Sequence, residues 1–120
     1  MRKLAKREEQ IMQACWLLEK AFIKDIIAEL PEPKPHYNSV ATMVRILEEK
    51  GFLDHETFGN TFRYYPVVSK DQYQKHAFDD MVKLYFNNSY PRMLAYFAKE
   101  QKISKEEINE ILEIIKSQKK

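Results

Sequence analysis

Asn38, Ser39, Thr42 and Arg45 follow one another at steps of one, three and three residues. On a helix, that spacing sets them along one strip. Their chemistry is that of reading base edges. An asparagine amide pairs bidentately with adenine, and a threonine methyl group can touch the methyl of thymine. Ser39 is small enough to let the backbone approach closely. Lys34 and Tyr37 precede the strip and Arg45 closes it, and these three are suited to phosphate contacts. Farther along, Asn60 and Arg63 lie in and just after a Gly59-Asn60 turn. They offer a second contact, to the backbone or to an adjacent minor groove. These residue types point to duplex DNA, with a preference for A·T contacts.

Catalytic and metal chemistry find no comparable support. Gly51 and Gly59 are the only glycines, which excludes a glycine-rich phosphate loop. His36, His55 and His76 are scattered, and no His/Cys pair has the spacing of a zinc site. The carboxylates fall on charged helix faces, where nothing marks a catalytic pair. The chain is therefore read as a non-enzyme with no cofactor and no metal.

The elements that must position the strip are legible around it. Leu4, Ile11, Cys15, Leu18 and Phe22 recur at helical spacing, with Met12 and Trp16 beside them, and predict a first helix over Lys6–Lys20. Trp16 on that stripe is read as core. Ala21–Ile23 is short and apolar and predicts a minor strand. Residues 24–30 predict a second helix. Pro31, Pro33 and Pro35 then stop it, because proline lacks an amide donor and restricts its predecessor. They are read as a stiff turn rather than as a proline-rich ligand.

A third helix from His36 or Tyr37 to Lys50 buries Val40, Met43, Val44 and Leu47 and turns the strip outward. Gly51 ends it. Phe52–Glu56 and Thr61–Val67 predict two strands joined at Gly59-Asn60. Tyr65 is read as structural and Arg63 as functional. Helix, helix, hairpin in this order is a winged helix-turn-helix, whose second helix enters the major groove.

After residue 68 the chain predicts three more helices. Ser69 caps the first, which carries Tyr73, Ala77, Met81, Leu84 and Tyr85 on one side with Phe78 and Val82 beside them and extends to about Asn87. Pro91 sits at the start of the second, which runs to about Gln101. Ser104 with Glu107 makes a capping-box pattern for the last, over 105–117. The lysine-ended tail KSQKK is read as solvated. Met81, Leu84, Tyr85, Leu94, Phe97, Ile108, Leu112 and Ile115 are too many apolar side chains for so short a stretch to bury alone. Self-association through residues 69–120 is the simplest remedy.

The fold class is thus mainly α with a small β-hairpin. Residues 1–68 form a winged-helix DNA-binding domain and residues 69–120 a helical dimerisation region. Composition agrees: 120 residues, 44% hydrophobic and 32% charged, suit one compact domain plus an oligomerisation segment. A net charge of +2 says little. Residues 1–67 hold ten Lys/Arg and ten Asp/Glu, yet 33–47 and 57–70 contain no acid at all. DNA needs positive charge locally, where its phosphates lie. No apolar run reaches the roughly 18–20 residues of a membrane span, and the start lacks the pattern of a secretory signal. One cysteine, Cys15, excludes an intrachain disulfide and fits a reducing compartment. The expected location is cytoplasmic.

Four segments carry a family resemblance: KREEQIMQACW, IIAELPEPKPHYNSVATMVRILEEKGFL, FRYYPVVSKDQY and ISKEEINEILEII. Together they resemble the BlaI/MecI penicillinase-repressor family over nearly the full length. The resemblance implies a homodimeric transcriptional repressor that holds a palindromic operator through its N-terminal winged helix. It also implies a membrane sensor metalloprotease as partner and release by cleavage in the dimerisation region. The family's scissile Asn-Phe bond corresponds to Tyr96-Phe97 here, with Phe97 kept and Tyr96 in place of asparagine. Related copper-responsive repressors carry a C-terminal cysteine cluster that this chain lacks. Two rival readings stand beside this one: a winged helix used for protein docking, and a regulator that answers a small ligand instead of a protease. The second would place Tyr73, Phe78, Tyr85, Phe86, Tyr90 and Phe97 around a pocket.

Overall fold

A computed structural model describes residues 1–100 and 102–118, without the side chains of Ile115 and Gln118. The order of elements is α1 (Lys6–Leu18), α2 (Ile23–Glu29), α3 (Tyr37–Glu49), β1 (Leu53–Phe58), β2 (Thr61–Pro66), α4 (Lys70–Tyr85), α5 (Tyr90–Lys99) and α6 (Lys105–Gln118). The chain forms two compact units, Met1–Ala77 and Phe78–Lys120.

The first unit is a winged helix. Ile11, Met12 and Cys15 of α1, Ile26 of α2, and Val40, Val44 and Leu47 of α3 close a common core with Phe52, Leu53 and Tyr64. The helical members follow the 3.6-residue period of the sequence, but Met43, expected to be buried with the α3 stripe, is only half-buried against this core. Helix α1 stops at Leu18, two residues earlier than its pattern suggests, because Glu19 turns to φ 68°. Ala21 then exchanges both backbone hydrogen bonds with Tyr64, at 2.9 and 2.8 Å. The expected minor strand is therefore a single bridge, and Ile23 already begins α2.

Helix α3 ends in a Schellman motif. The Phe52 amide donates to the Leu47 carbonyl at 2.9 Å and the Gly51 amide to that of Glu48 at 3.0 Å. Gly51 stands at φ 85°, where a Cβ would be strained. The hairpin pairs Phe58 with Thr61 across the two-residue loop. Gly59 takes φ 63° and Asn60 does not, as in a type II′ turn.

Helix α4 begins with a reciprocal cap between Ser69 and Gln72, at 2.9 and 3.1 Å. Tyr73, one turn in, is buried in the core of the first unit, its ring 5.8 Å from both Trp16 and Phe52. The boundary between the two compact units consequently falls inside α4, between Ala77 and Phe78. Trp16 is half-buried and donates its indole N–H to the Val68 carbonyl at 2.9 Å.

In the second unit, Asn87 and Asn88 take positive φ and end α4, two residues sooner than expected. Ser89 caps α5 through the Arg92 amide at 3.2 Å, a signal that Pro91 had masked. Helix α5 ends at Lys99, and its expected last residue, Gln101, lies outside the described residues, as do Lys119 and Lys120 of the tail. Ser104 and Glu107 make the expected reciprocal cap of α6. Phe86, Tyr96 and Phe97 form a ring cluster with centroids 5.6–6.4 Å apart. Yet Val82 is the only buried residue of this unit among those described.

Candidate nucleic-acid interface

Burying Val40, Val44 and Leu47 forces the other side of α3 outward. Asn38, Ser39, Thr42 and Arg45 are all exposed on it, with Ile46 and Glu49. Tyr37 stands exposed at its start. The Thr42 hydroxyl donates to the Asn38 carbonyl at 2.9 Å. That bond satisfies the polar end of Thr42 within the helix and leaves the methyl group to meet a partner.

The hairpin is fastened to the same helix. His55 of β1 lies with Nδ1 2.6 Å from the Glu48 carboxylate of α3. Its ring packs 4.2 Å from Phe62 and 5.8 Å from Tyr64. Burial, together with the negative charge of Glu48, pushes the Tyr64 phenol above its usual range, against the opposing charge of Arg45. Wing and helix thus present one surface with a fixed spacing.

The cations around this surface differ in how much of their charge is available. The Lys34 ammonium donates to the Ala28 carbonyl at 2.9 Å and to that of Leu30, closing the end of α2. Its expected phosphate role competes with this cap. Arg63 donates from Nε to Glu56 at 2.7 Å and lies 4.9 Å over the Phe58 ring. Lys20 reaches the same carboxylate at 3.4 Å. The hydrogen bond from Arg63, with the charges of Arg63 and Lys20, holds the Glu56 carboxyl below its ordinary range. Arg45 is exposed without an ion pair of its own among the described residues, and so is Lys24.

Lys24 is a cation at this surface that the sequence reading did not single out. It lines a cavity of about 280 Å³ with Phe22, Ile23, Tyr37 and Thr61, between the starts of α2 and α3 and the wing tip. One signal was present: a lysine in the first helical turn opposes the charge that position favours. Asn60 is exposed at the wing tip, and Tyr65 is half-buried.

Glu48, Asp54 and His55 are the one His/carboxylate group among the described residues whose ligand atoms lie within 4.8 Å of one another. The close contact in it is the His55–Glu48 hydrogen bond, which explains the arrangement without an ion. Cys15 is no nucleophile, since burial pushes its thiol up to about 12.

The dimerisation candidates all lie in the second unit. Leu84 and Tyr85 are 72% and 75% exposed and Leu112 is exposed, while Met81, Leu94, Phe97 and Ile108 are half-buried. The Ile115 side chain lies outside the described residues. Tyr96 and Ile114, which the sequence did not single out for an interface, are exposed as well. Among the described residues no helix is long and apolar enough to cross a membrane.

The family model for the penicillinase repressor matches residues 4–117. The penicillinase repressor of Bacillus licheniformis is 25% identical over 118 residues, which cover 98% of this chain and 92% of that protein. The methicillin resistance regulatory protein MecI of Staphylococcus aureus (strain N315) is 21% identical over 114 residues, 94% of this chain and 93% of that protein. A solved structure titled "CopR Repressor Structure" is 28% identical, covering 55% of this chain and 97% of its own, with a TM-score of 0.47.

Proposed function

The chain belongs to the penicillinase repressor family, a family of DNA-binding transcriptional repressors rather than enzymes, and from that premise we propose that it acts as a cytoplasmic homodimer on a palindromic operator. The observation that carries the DNA contact is the exposed strip Asn38, Ser39, Thr42 and Arg45, held beside the wing by His55 and Glu48. Asn38 and Thr42 read base edges in the major groove, and Arg45 with Tyr37 holds phosphates. Asn60 and Arg63 bring the wing to the flanking backbone.

The second unit supports dimerisation. With Val82 alone buried among its described residues, this unit leaves Leu84, Tyr85, Leu112 and Ile114 open to water. A soluble protein seldom leaves so much unpartnered. A second copy covers it and doubles the reading head, so that two half-sites bind together at high effective concentration.

Release follows from losing the dimer. Cleavage at Tyr96-Phe97 by a membrane sensor metalloprotease severs α5 and separates the half-sites. Tyr96 is exposed and Phe97 half-buried against Phe86, so the bond opens only when the last turns of α5 loosen. A second mode of release has its own support. Of the six aromatic residues read as a ligand pocket, Tyr85, Phe86 and Phe97 line one cavity of about 390 Å³ with Met81 and Tyr96, while Tyr73 lies in the core of the first unit and Phe78 and Tyr90 do not line it. That cavity suits an apolar ligand.

Selection of bound duplexes from random-sequence DNA, sequenced at low and high salt, tests the reading. The expected result is an enriched palindrome with half-sites about one helical turn apart, or a multiple of that. No enrichment and no salt dependence would refute it in favour of a docking module.

A further inference from the structure

We infer that Lys24, with the hydroxyl groups of Tyr37 and Thr61, forms a seat for one phosphodiester of the DNA backbone at the edge of the reading surface. The inference rests on the proposal that this chain binds duplex DNA; to Tyr37, already read as a phosphate contact, it adds Lys24 and Thr61, which neither the sequence pattern nor the family match assigns.

Charge is the first argument. Duplex affinity depends on cations that give up water and counterions to a phosphate. Around the reading surface, Lys20 and Arg63 share the Glu56 carboxylate, and Lys34 is bonded to the carbonyls that end α2. Lys50 is paired with Glu8 at 2.8 Å. Lys24 has no such partner among the described residues. The neighbouring acid, Asp25, makes no ion pair with it among the described residues; its carboxylate instead accepts the Phe22 amide at 3.0 Å.

Shape is the second argument. Three separate elements converge on the cavity: α2 brings Lys24, α3 brings Tyr37 and β2 brings Thr61. A cation and two hydroxyl donors are the groups that hold a phosphate in protein–DNA contacts. Phe22 and Ile23 supply an apolar wall, against which a deoxyribose packs and which excludes water from the charged contact.

Placement is the third argument. Tyr37 adjoins Asn38, the first base-reading residue. A phosphate held here fixes the register of α3 in the groove without contributing sequence information.

The experiment measures binding of the full chain to the selected operator and to mixed-sequence duplex DNA, across a salt series. Lys24→Gln should weaken both alike, by about five-fold per half-site near physiological salt, and reduce the log–log salt slope by about 0.9 per half-site. Lys24→Arg should restore the slope. Tyr37→Phe and Thr61→Val should weaken both duplexes equally and leave the slope unchanged. If wild-type protein binds and Lys24→Gln keeps the wild-type slope, or alters sequence preference instead, the seat is refuted while the repressor reading stands. If wild-type protein does not bind duplex DNA, both fall.

Discussion

Arg63 on β2 and Glu56 on β1 sit opposite each other across the wing, with the guanidinium Nε 2.7 Å from the carboxylate. The wing's own cation is therefore half-neutralised before any phosphate approaches. Lys20 draws on the same oxygen. Arg45→Ala should consequently lower the salt slope of DNA binding more than Arg63→Ala does. Glu56→Gln should tighten binding to every duplex by releasing Arg63 and Lys20. A salt-titrated binding series separates the three, and weaker binding by a well-folded Glu56→Gln would sink the argument.

Thr42 offers a finer test. Its hydroxyl is already bonded to the Asn38 carbonyl, so the group left for a base is the methyl. Thr42→Val should keep the operator preference. Thr42→Ser should lose about 0.8 kcal/mol of it, the worth of one methyl-sized apolar contact. Competition between operators that differ at one T·A pair reads this directly. The reverse ranking would show that the hydroxyl makes the contact.

Stability of the first unit should depend on acid through Glu8. Burial raises its pKa, but the hydrogen bond from Lys50, the Ala5 amide at 2.8 Å and the Lys50 charge together lower it. A folded-state pKa below the unfolded one gives stability that is fully present above roughly pH 4.3. It is lost as pH falls through the folded value. Glu8→Gln should flatten this part of the pH profile and cost about 1–3 kcal/mol at neutral pH, because it leaves the Lys50 ammonium, itself mostly buried, without its partner. Thermal melts from pH 3 to 7 would show it (the range brackets that pKa).

Tyr73 ties α4 to the first unit. A fragment ending at residue 77 should melt cooperatively, and one ending at residue 68 should melt lower because it lacks this ring. Tyr73→Ala in the full chain should cost about 3–5 kcal/mol, as for other large aromatic truncations. Equal melting of the two fragments would mean that the Trp16 and Phe52 contacts contribute nothing.

Leu84→Glu and Leu112→Glu should leave the first unit folded and make the protein monomeric in sedimentation at micromolar concentration. Operator affinity should then fall by about 10² or more through lost avidity. A dimer that survives both substitutions would place the interface elsewhere.

The sequence by itself determined the main elements and where most of them begin. Prolines 31, 33 and 35, Gly51, the Gly59-Asn60 turn and the Ser104–Glu107 cap all act within a few residues. Their signatures are local and therefore visible in one dimension. The apolar period of α3 likewise determined which of its faces turns outward, and so the strip from Asn38 to Arg45. The misses were of two kinds. Some helix ends were set by a backbone turn at a residue that does not advertise it, as at Glu19. The end of the first unit depended on whether Tyr73 finds Trp16 and Phe52, more than twenty positions back at the nearest.

Only the tertiary structure decided which cations are available. Lys20 meets Glu56 across 36 residues and Lys50 meets Glu8 across 42. Lys34 folds back onto α2 through a turn whose path the sequence leaves open. Lys24, which looks like any other surface lysine in the sequence, lines one cavity with Tyr37 and Thr61. A charge's partner is set by distance in space, and the chain's hydrophobic pattern specifies that distance only after the whole core has closed.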